Sequence, residues 1–149
     1  MKIESLMLAD AAQAANGKLF ILGGGWSVYK APNFPMPIQM ALAFMVSFSS
    51  TEIGIKYPIN VAIADEAGVP IVPEMKGQIE VGPPPPEMPK GASHKLPFAL
   101  NMGLQIPRAG KYGIVVTVGS FKAEIRFDAI FIGSKIQFGA SDLGAERGN

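Results

Sequence analysis

The chain has 149 residues, no cysteine, and 13 basic against 12 acidic side chains, so its net charge is +1. The lack of cysteine excludes disulfide scaffolds, iron–sulfur clusters, cysteine-based zinc sites and thiol catalysis. The balanced charge argues against a nucleic-acid binder, which would carry a basic excess. Only 17% of the residues are charged, and large apolar surfaces commonly mark contact sites, so we expect part of the surface to be covered by a partner.

The N-terminal residues do not predict an export signal. Glu4 and Asp10 leave only residues 5–9 uninterrupted, whereas the apolar core of a signal peptide has about 7–15 residues. The longest apolar run, residues 40–48, is also far below the roughly 20 residues of a membrane span. We therefore expect a cytoplasmic protein.

Residues 5–15 allow two interpretations. They contain good helix formers, with Ser5 as a possible N-cap and Asn16-Gly17 as a stop signal. The same Asn-Gly pair is the strongest signal for a two-residue hairpin turn. We favour the hairpin, because residues 18–29 have the composition of a strand, which needs a neighbour.

Three consecutive glycines, Gly23 to Gly25, precede Trp26, the only tryptophan. A phosphate-binding loop would need a following helix and a Lys-Ser/Thr pair, but the sequence continues as the strand-like Trp26-Ser27-Val28-Tyr29. The glycines therefore predict a bend in a strand. Trp26 either fills space beside that bend or, if exposed, acts with Tyr29 as an aromatic contact for a ligand or partner.

Residues 40–48 alternate with period two, and both faces of the resulting strand are apolar or small. Such a strand is buried on both sides or packs against a partner. The candidate interface residues on this strand are Met40, Ala41, Ala43 and Met45.

Residues 57–82 predict a strand, a turn at residues 65–68, and one or two further short strands. The segment GPPPPEMPKGAS, residues 82–93, then predicts a stiff extended connector. The alternative is a docking segment for a proline-recognition domain or another partner, with Pro84 and Pro85 as candidate contacts.

The second half predicts three further strands. Residues 95–106 alternate between apolar and polar positions, and Pro97 on the outward side indicates an edge strand. Residues 112–131 predict a hairpin that turns at Gly119-Ser120. With eight or nine strands and no long amphipathic helix, we predict an all-β antiparallel sandwich, immunoglobulin-like or jelly-roll-like. It forms a single domain over residues 1–138, followed by a flexible tail at residues 139–149.

No catalytic set emerges from the sequence. His94 is the only histidine, and we expect it in a solvent-exposed loop. Its neighbour Ser93 would point to the opposite side of a strand, so the two do not form a nucleophile–base pair. The twelve acids are scattered. We therefore predict no catalytic residue, no cofactor, no metal site and no enzymatic activity.

Two segments resemble known sequences. Residues 6–26, LMLADAAQAANGKLFILGGGW, resemble the opening of an uncharacterised family of small bacterial proteins, in which an L-A-D-A-A run and a turn precede G-K-L and a glycine-rich segment that ends in Trp. Residues 106–120, IPRAGKYGIVVTVGS, are similar to the Pro-x-Gly-x-Tyr strand entry of many β-sandwich domains. The resemblance implies a small sandwich protein, and it implies no activity, cofactor or catalytic residue.

These observations favour a non-enzymatic structural or assembly protein that self-associates into a homo-oligomer or a filament. The alternative is a ligand- or peptide-binding module that uses Trp26 and the proline-rich loop. An enzyme that uses carboxylates alone is a third hypothesis, and no residue cluster supports it.

Overall fold

The computed structural model describes residues 1–133 of the chain. The predicted domain boundary at residue 138 and the predicted tail at residues 139–149 lie outside this range. The described residues form ten strands and a 3₁₀ turn at Ser50–Glu52. The strands are β1 (Lys2–Ala9), β2 (Ala11–Ala15), β3 (Lys18–Leu22), β4 (Val28–Ala31), β5 (Met36–Phe48), β6 (Lys56–Asp65), β7 (Met75–Glu80), β8 (His94–Ile106), β9 (Gly110–Val118) and β10 (Phe121–Phe131).

The strands build a sandwich with a hairpin on one side. A front sheet has the order β1-β5-β8, a back sheet has the order β4-β10-β9-β6-β7, and β2 pairs with β3. The predicted all-β sandwich is confirmed, and so is the edge position of β8. Two details differ: β4 pairs with β10 in parallel, and the three glycines divide the strand predicted at residues 18–29 into β3 and β4.

Inward-facing side chains of both sheets form one hydrophobic core, as the period-two alternation predicts. Its largest fully buried members include Tyr112, Phe44, Phe48 and Phe127. Burial of a side chain of this kind stabilises the fold by about 1.5–3 kcal/mol. The β9–β10 hairpin, which contributes two of these rings, turns at Gly119-Ser120, and Gly119 adopts the positive φ of 60° that such a turn requires.

Strand β5 is buried on both of its faces. Met40 points into the core, whereas Ala41 and Ala43 point outward, yet all three are at most 1% exposed. Ala12 and Leu19 of the β2–β3 hairpin pack over the two outward alanines. The predicted interface is corrected accordingly. Met40 lies in the core and the protein's own hairpin covers Ala41 and Ala43, so these three residues offer no surface to another chain, and Met45 alone is half-buried.

The β2–β3 hairpin turns at Asn16-Gly17, with φ values of 52° and 71°. Positive φ at both central residues defines the type I′ turn that Asn-Gly favours, so the hairpin interpretation of this segment is confirmed. The Asn101 side chain on β8 fixes the hairpin to the front sheet. Its amide nitrogen donates to the Ala12 carbonyl at 2.7 Å, and its oxygen accepts from the Ala12 N–H at 3.1 Å.

The hairpin runs across the strands of the front sheet. Ala9 on β1 and Asn101 on β8 lie in one row, since both align with Ala41 on β5. The chain therefore crosses from β1 to β8 between Ala9 and Ala12. The tip of the hairpin extends past β8, and its residues 16–18 are exposed.

A tyrosine hydrogen bond fixes the backbone at the start of β9. The Tyr112 hydroxyl donates a 2.6 Å hydrogen bond to the carbonyl of Arg108, four residues upstream, and the ring stacks on Phe127 with centroids 5.4 Å apart. This arrangement resembles the tyrosine corner of sandwich domains, and it explains why the segment from Pro107 to Tyr112 leads into a strand here.

Replacement of Tyr112 by Phe should lower the free energy of unfolding by about 1–2 kcal/mol, because a buried hydrogen bond is lost while the ring remains. Urea denaturation at pH 7 measures this loss. Tyr29→Phe is the matched control, since the Tyr29 hydroxyl makes no hydrogen bond to residues 1–133, and its stability should be unchanged. Equal losses in the two variants would contradict a role for the Tyr112 hydrogen bond.

Candidate functional site

Trp26 lies against the core rather than in solvent. It is half-buried and packs against the core. Its ring centroid lies 5.7 Å from that of Phe127, in an edge-on arrangement, and 6.4 Å from that of Tyr29. Tyr29 is also half-buried. The rings complete the core beneath the glycine segment, so neither is presented as the exposed aromatic contact that the ligand-binding hypothesis requires.

The three glycines carry the chain from the hairpin down to the back sheet. Gly23 and Gly25 adopt left-handed φ values of 61° and 87°, which favour glycine. A Cβ on Gly24 would lie 2.6 Å from the Ile21 side chain, so a side chain there would clash. The Gly25 N–H also donates to the Leu8 carbonyl at 2.7 Å. These glycines form a turn between two strands of different sheets, rather than the predicted bend within one strand, and the strand β4 follows them.

The proline-rich loop covers one end of the sandwich. Together with Ser49 and Ser50, and with His94 at the start of β8, it encloses a pocket of about 410 Å³. Pro84 is half-buried in this pocket and Pro85 is exposed. The expectation that His94 is a solvent-exposed loop residue is wrong, because it begins a strand and is half-buried.

His94 does not complete a catalytic set with the residues around it. Its Nδ1 atom is buried and has no hydrogen-bond partner within residues 1–133. None of the described residues that line this pocket is acidic. A histidine base is normally oriented by such a third group, so this pocket offers no nucleophile–base–acid relay.

A second concave site, the lateral cleft, opens between the free edges of β7 and β8. Its volume is about 230 Å³, and Phe44 and Val61 of the core form its floor. Met75 and Gly77 of β7 form one wall. The residues that line the cleft are Phe44, Ile59, Val61, Met75, Lys76, Gly77, Phe98, Ala99 and Leu100. Sequence patterning could not find this site, because it depends on which two edges the topology leaves open on the same side.

A third feature, the hairpin patch, consists of Phe20, Ile21 and Leu22 on β3. Their side chains are 54%, 38% and 70% exposed. Three consecutive exposed large apolar residues are unusual for a free surface. The run KLFIL was a visible signal in the sequence, since it lacks the polar alternation of a strand with one solvated face.

Comparison with known proteins assigns the chain to a family. A family profile described as a family of unknown function (DUF6941) matches residues 4–129. The chain belongs to this family. The resemblance to an uncharacterised family is thereby confirmed, and the DUF6941 match extends from β1 into β10, so it covers both sheets and the hairpin. The curated proteins give no significant match.

Two carboxylates in the described part of this DUF6941 member form short ion pairs with arginine. Asp65 accepts from Arg108 at 2.7 Å, and Glu124 accepts from Arg126 at 2.9 Å. Within residues 1–133, no three His, Asp or Glu side chains come together as a metal site would require. The same residues contain no helix with the length and hydrophobicity of a membrane span.

Among the acidic side chains of residues 1–133, Glu52 has the most strongly shifted pKa. Its Oε2 atom accepts from the Met1 amino group and from the Ser49 N–H, both at 2.8 Å, and its Oε1 atom accepts from the Tyr57 hydroxyl at 2.9 Å. Burial acts to raise the pKa of Glu52, but these hydrogen bonds and the positive amine outweigh it and lower the pKa to about 2. The carboxylate therefore ties the start of β1 and the 3₁₀ turn to β6.

This network should make stability depend on pH. The pKa of Glu52 falls from its ordinary 4.5 to about 2 on folding, so its contribution is fully present above pH 4.5 and is lost as the pH falls towards 2. Glu52→Gln should therefore destabilise the protein at pH 7, and the difference from wild type should shrink between pH 4.5 and pH 2.

Urea unfolding at a series of pH values measures this change. Glu66→Gln, at an exposed turn position, is the control and should follow the wild-type curve. A difference between Glu52→Gln and wild type that is independent of pH would show that the carboxylate charge does not stabilise the fold.

Proposed function

We propose that this protein is a non-enzymatic assembly subunit that self-associates through strand β3 of the hairpin. The hairpin patch is the observation that carries the proposal, because Phe20, Ile21 and Leu22 are three consecutive large apolar residues that are all exposed. The low charged fraction of the chain supports it. Exposed apolar patches on projecting elements typically mark protein contacts.

The backbone of β3 also offers an unpaired edge. In a two-residue hairpin the residues that flank the turn form a hydrogen-bonded pair, and the pattern then alternates. The backbone N–H and C=O groups of Phe20 therefore form hydrogen bonds with β2, whereas those of Leu19 and Ile21 point away from β2. Within the described residues, β3 pairs with β2 alone. Such an edge is a template for a strand from another chain.

A second copy fits this edge in an antiparallel register. When Phe20 lies opposite Phe20 of the second copy, Leu19 of each copy lies opposite Ile21 of the other. The outward-pointing N–H and C=O groups of Leu19 and Ile21 then form hydrogen bonds across the contact. Lys18 then lies opposite Leu22, so no like charges face each other. This contact is symmetric and closes as a dimer.

The proposed contact is small. Each β3 strand has five residues, whereas stable protein interfaces bury about 1,200–2,000 Å² in total. We therefore expect association that depends on protein concentration, unless a further surface adds to the contact.

The competing peptide- or ligand-binding function through Trp26 has less support. Trp26 and Tyr29 are committed to packing on the core, and of the two candidate prolines only Pro85 is exposed.

A single cysteine tests the proposed contact, because the chain contains no cysteine. Cα atoms of directly opposed, non-hydrogen-bonded residues lie about 4.5 Å apart, which is within the range for a disulfide. Phe20→Cys should therefore form a covalent dimer on mild oxidation, as seen by non-reducing electrophoresis. Gln13→Cys, which faces Phe20 from β2, should not, because the second β3 strand separates the two Gln13 positions.

Light scattering gives the independent readout. The wild-type mass should rise above 15.8 kDa with concentration, and Phe20→Lys should remain a monomer. A wild-type protein that stays monomeric throughout would overturn self-association. An oligomer that persists in Phe20→Lys would show that the protein assembles through another surface.

A further inference from the structure

We propose that Asn16, at the tip of the β2–β3 hairpin, is a modification site at which the chain converts its own asparagine into isoaspartate. The reaction is a deamidation driven by the backbone nitrogen of Gly17, with water as the co-reactant. Its product lengthens the main chain inside the turn. This inference does not depend on self-association through β3, because the reaction takes place within a single chain.

The turn presents Asn16 to solvent without restraint on its side chain. Asn16 is the single non-glycine residue with a positive φ among residues 1–133, and both it and Gly17 are exposed. The Asn101 amide is held by two hydrogen bonds to Ala12, whereas the Asn16 amide has no hydrogen-bond partner within residues 1–133. A Cβ atom built on Gly17 would meet no atom within 4 Å. The reacting groups are therefore accessible to each other and to water.

The glycine that follows Asn16 makes cyclisation accessible. The Gly17 nitrogen bonds to Cγ of Asn16, the bond from Cγ to the amide nitrogen breaks, and ammonia leaves with the proton of the attacking nitrogen. Water then opens the five-membered succinimide ring. Attack of water at the main-chain carbonyl gives isoaspartate, whose backbone runs through Cγ, and attack at Cγ gives aspartate. A side chain on the attacking residue would hinder the first step, and glycine has none.

The other asparagines of the described chain lack these conditions. Asn60 lies within β6 and is paired with strands on both sides. Asn101 lies within β8, and its amide is bound to the hairpin. Each of the three is also followed by a residue with a large side chain, which crowds the attacking nitrogen. The residues that follow Asn33, Asn60 and Asn101 are Phe34, Val61 and Met102.

The folded turn sets the rate of the reaction. The succinimide ring holds ψ of residue 16 far from the roughly +30° of a type I′ turn, so the turn has to open before the ring closes. Opening at a projecting hairpin tip is a local event that leaves the sandwich folded. We therefore expect the native protein to react more slowly than its unfolded chain, and to react at Asn16 first.

Isoaspartate is incompatible with the closed turn. The type I′ connection sets the register in which Ala15 lies opposite Lys18, and an additional backbone atom breaks its geometry. The same register places Ala12 of β2 over Ala41 of β5. The modification should therefore loosen the layer that covers the outer face of β5.

Incubation of the full-length protein in warm, mildly alkaline buffer, followed by intact mass and ion-exchange chromatography, tests the proposal. We expect a species with one additional negative charge, because a neutral amide becomes a carboxylate. Peptide mapping should place the change at residues 16–17, and an isoaspartyl methyltransferase should methylate it. Deamidation at Asn16 should be at least about tenfold faster than at Asn33, Asn60 or Asn101.

Two variants serve as controls. Asn16→Gly keeps a sequence that favours the type I′ turn but has no carboxamide, so it should not form the new species. Asn16→Asp carries the same charge as the isoaspartate form without the additional backbone atom. Amide hydrogen exchange in β2 and β3 should be at least about fivefold faster in the purified isoaspartate form than in Asn16→Asp, with exchange in β9 unchanged.

The contrary outcomes are equally defined. A native protein that retains the Asn16 amide after about a hundred half-times of its urea-unfolded chain overturns the modification site. Deamidation that begins at another asparagine, or that proceeds equally in Asn16→Gly, overturns it as well. Equal hydrogen exchange in the isoaspartate form and in Asn16→Asp overturns the effect on the hairpin.

Discussion

The architecture depends on one constraint: β5 is apolar on both faces, and each face has to be covered. The back sheet covers the face that carries Met40 and Phe44. The opposite face carries Ala41 and Ala43, and small side chains allow a second layer to approach closely. The β2–β3 hairpin supplies that layer, and Asn101 holds it by pairing with both backbone polar groups of Ala12. A side-chain amide here replaces a neighbouring strand, so the buried backbone at Ala12 keeps its hydrogen bonds.

The exposed features follow from how the hairpin meets this constraint. Because the hairpin crosses the sheet, only its inner face is covered, and Phe20 and Leu22 on its outer face have no layer above them. The two sides of the sandwich also differ. On one side β1 lies against β10, whereas on the other side β7 and β8 leave the lateral cleft between them. The hairpin patch and the cleft are therefore direct results of the strand order.

The sequence predicted those features that depend on neighbouring residues. Period-two alternation located most of the strands, and Asn16-Gly17 identified the first hairpin. For β5 the sequence left two alternatives, burial on both sides or packing against a partner, and we predicted an interface there. The structure shows the first alternative, with residues 11–22 as the cover, and no local signal records which segment packs on which. The lateral cleft was missed for the same reason, because it joins residues that are distant in sequence. In the network around Glu52 only the contact with Met1 is distant, since Ser49 and Tyr57 lie within five residues of Glu52. The predicted continuous strand at residues 18–29 failed because glycine permits both a bend within a strand and a turn between two sheets.

The parallel pair of β4 and β10 joins strands from nearly opposite ends of the described chain. Such a pair forms only after a long loop has closed, and folds dominated by distant pairings form slowly. During synthesis on the ribosome, β4 and the apolar β5 emerge long before β8, β9 and β10 exist to cover them. The nascent chain must therefore remain free of aggregation, with its most hydrophobic strand unprotected, until nearly all of the family-matched region has been translated.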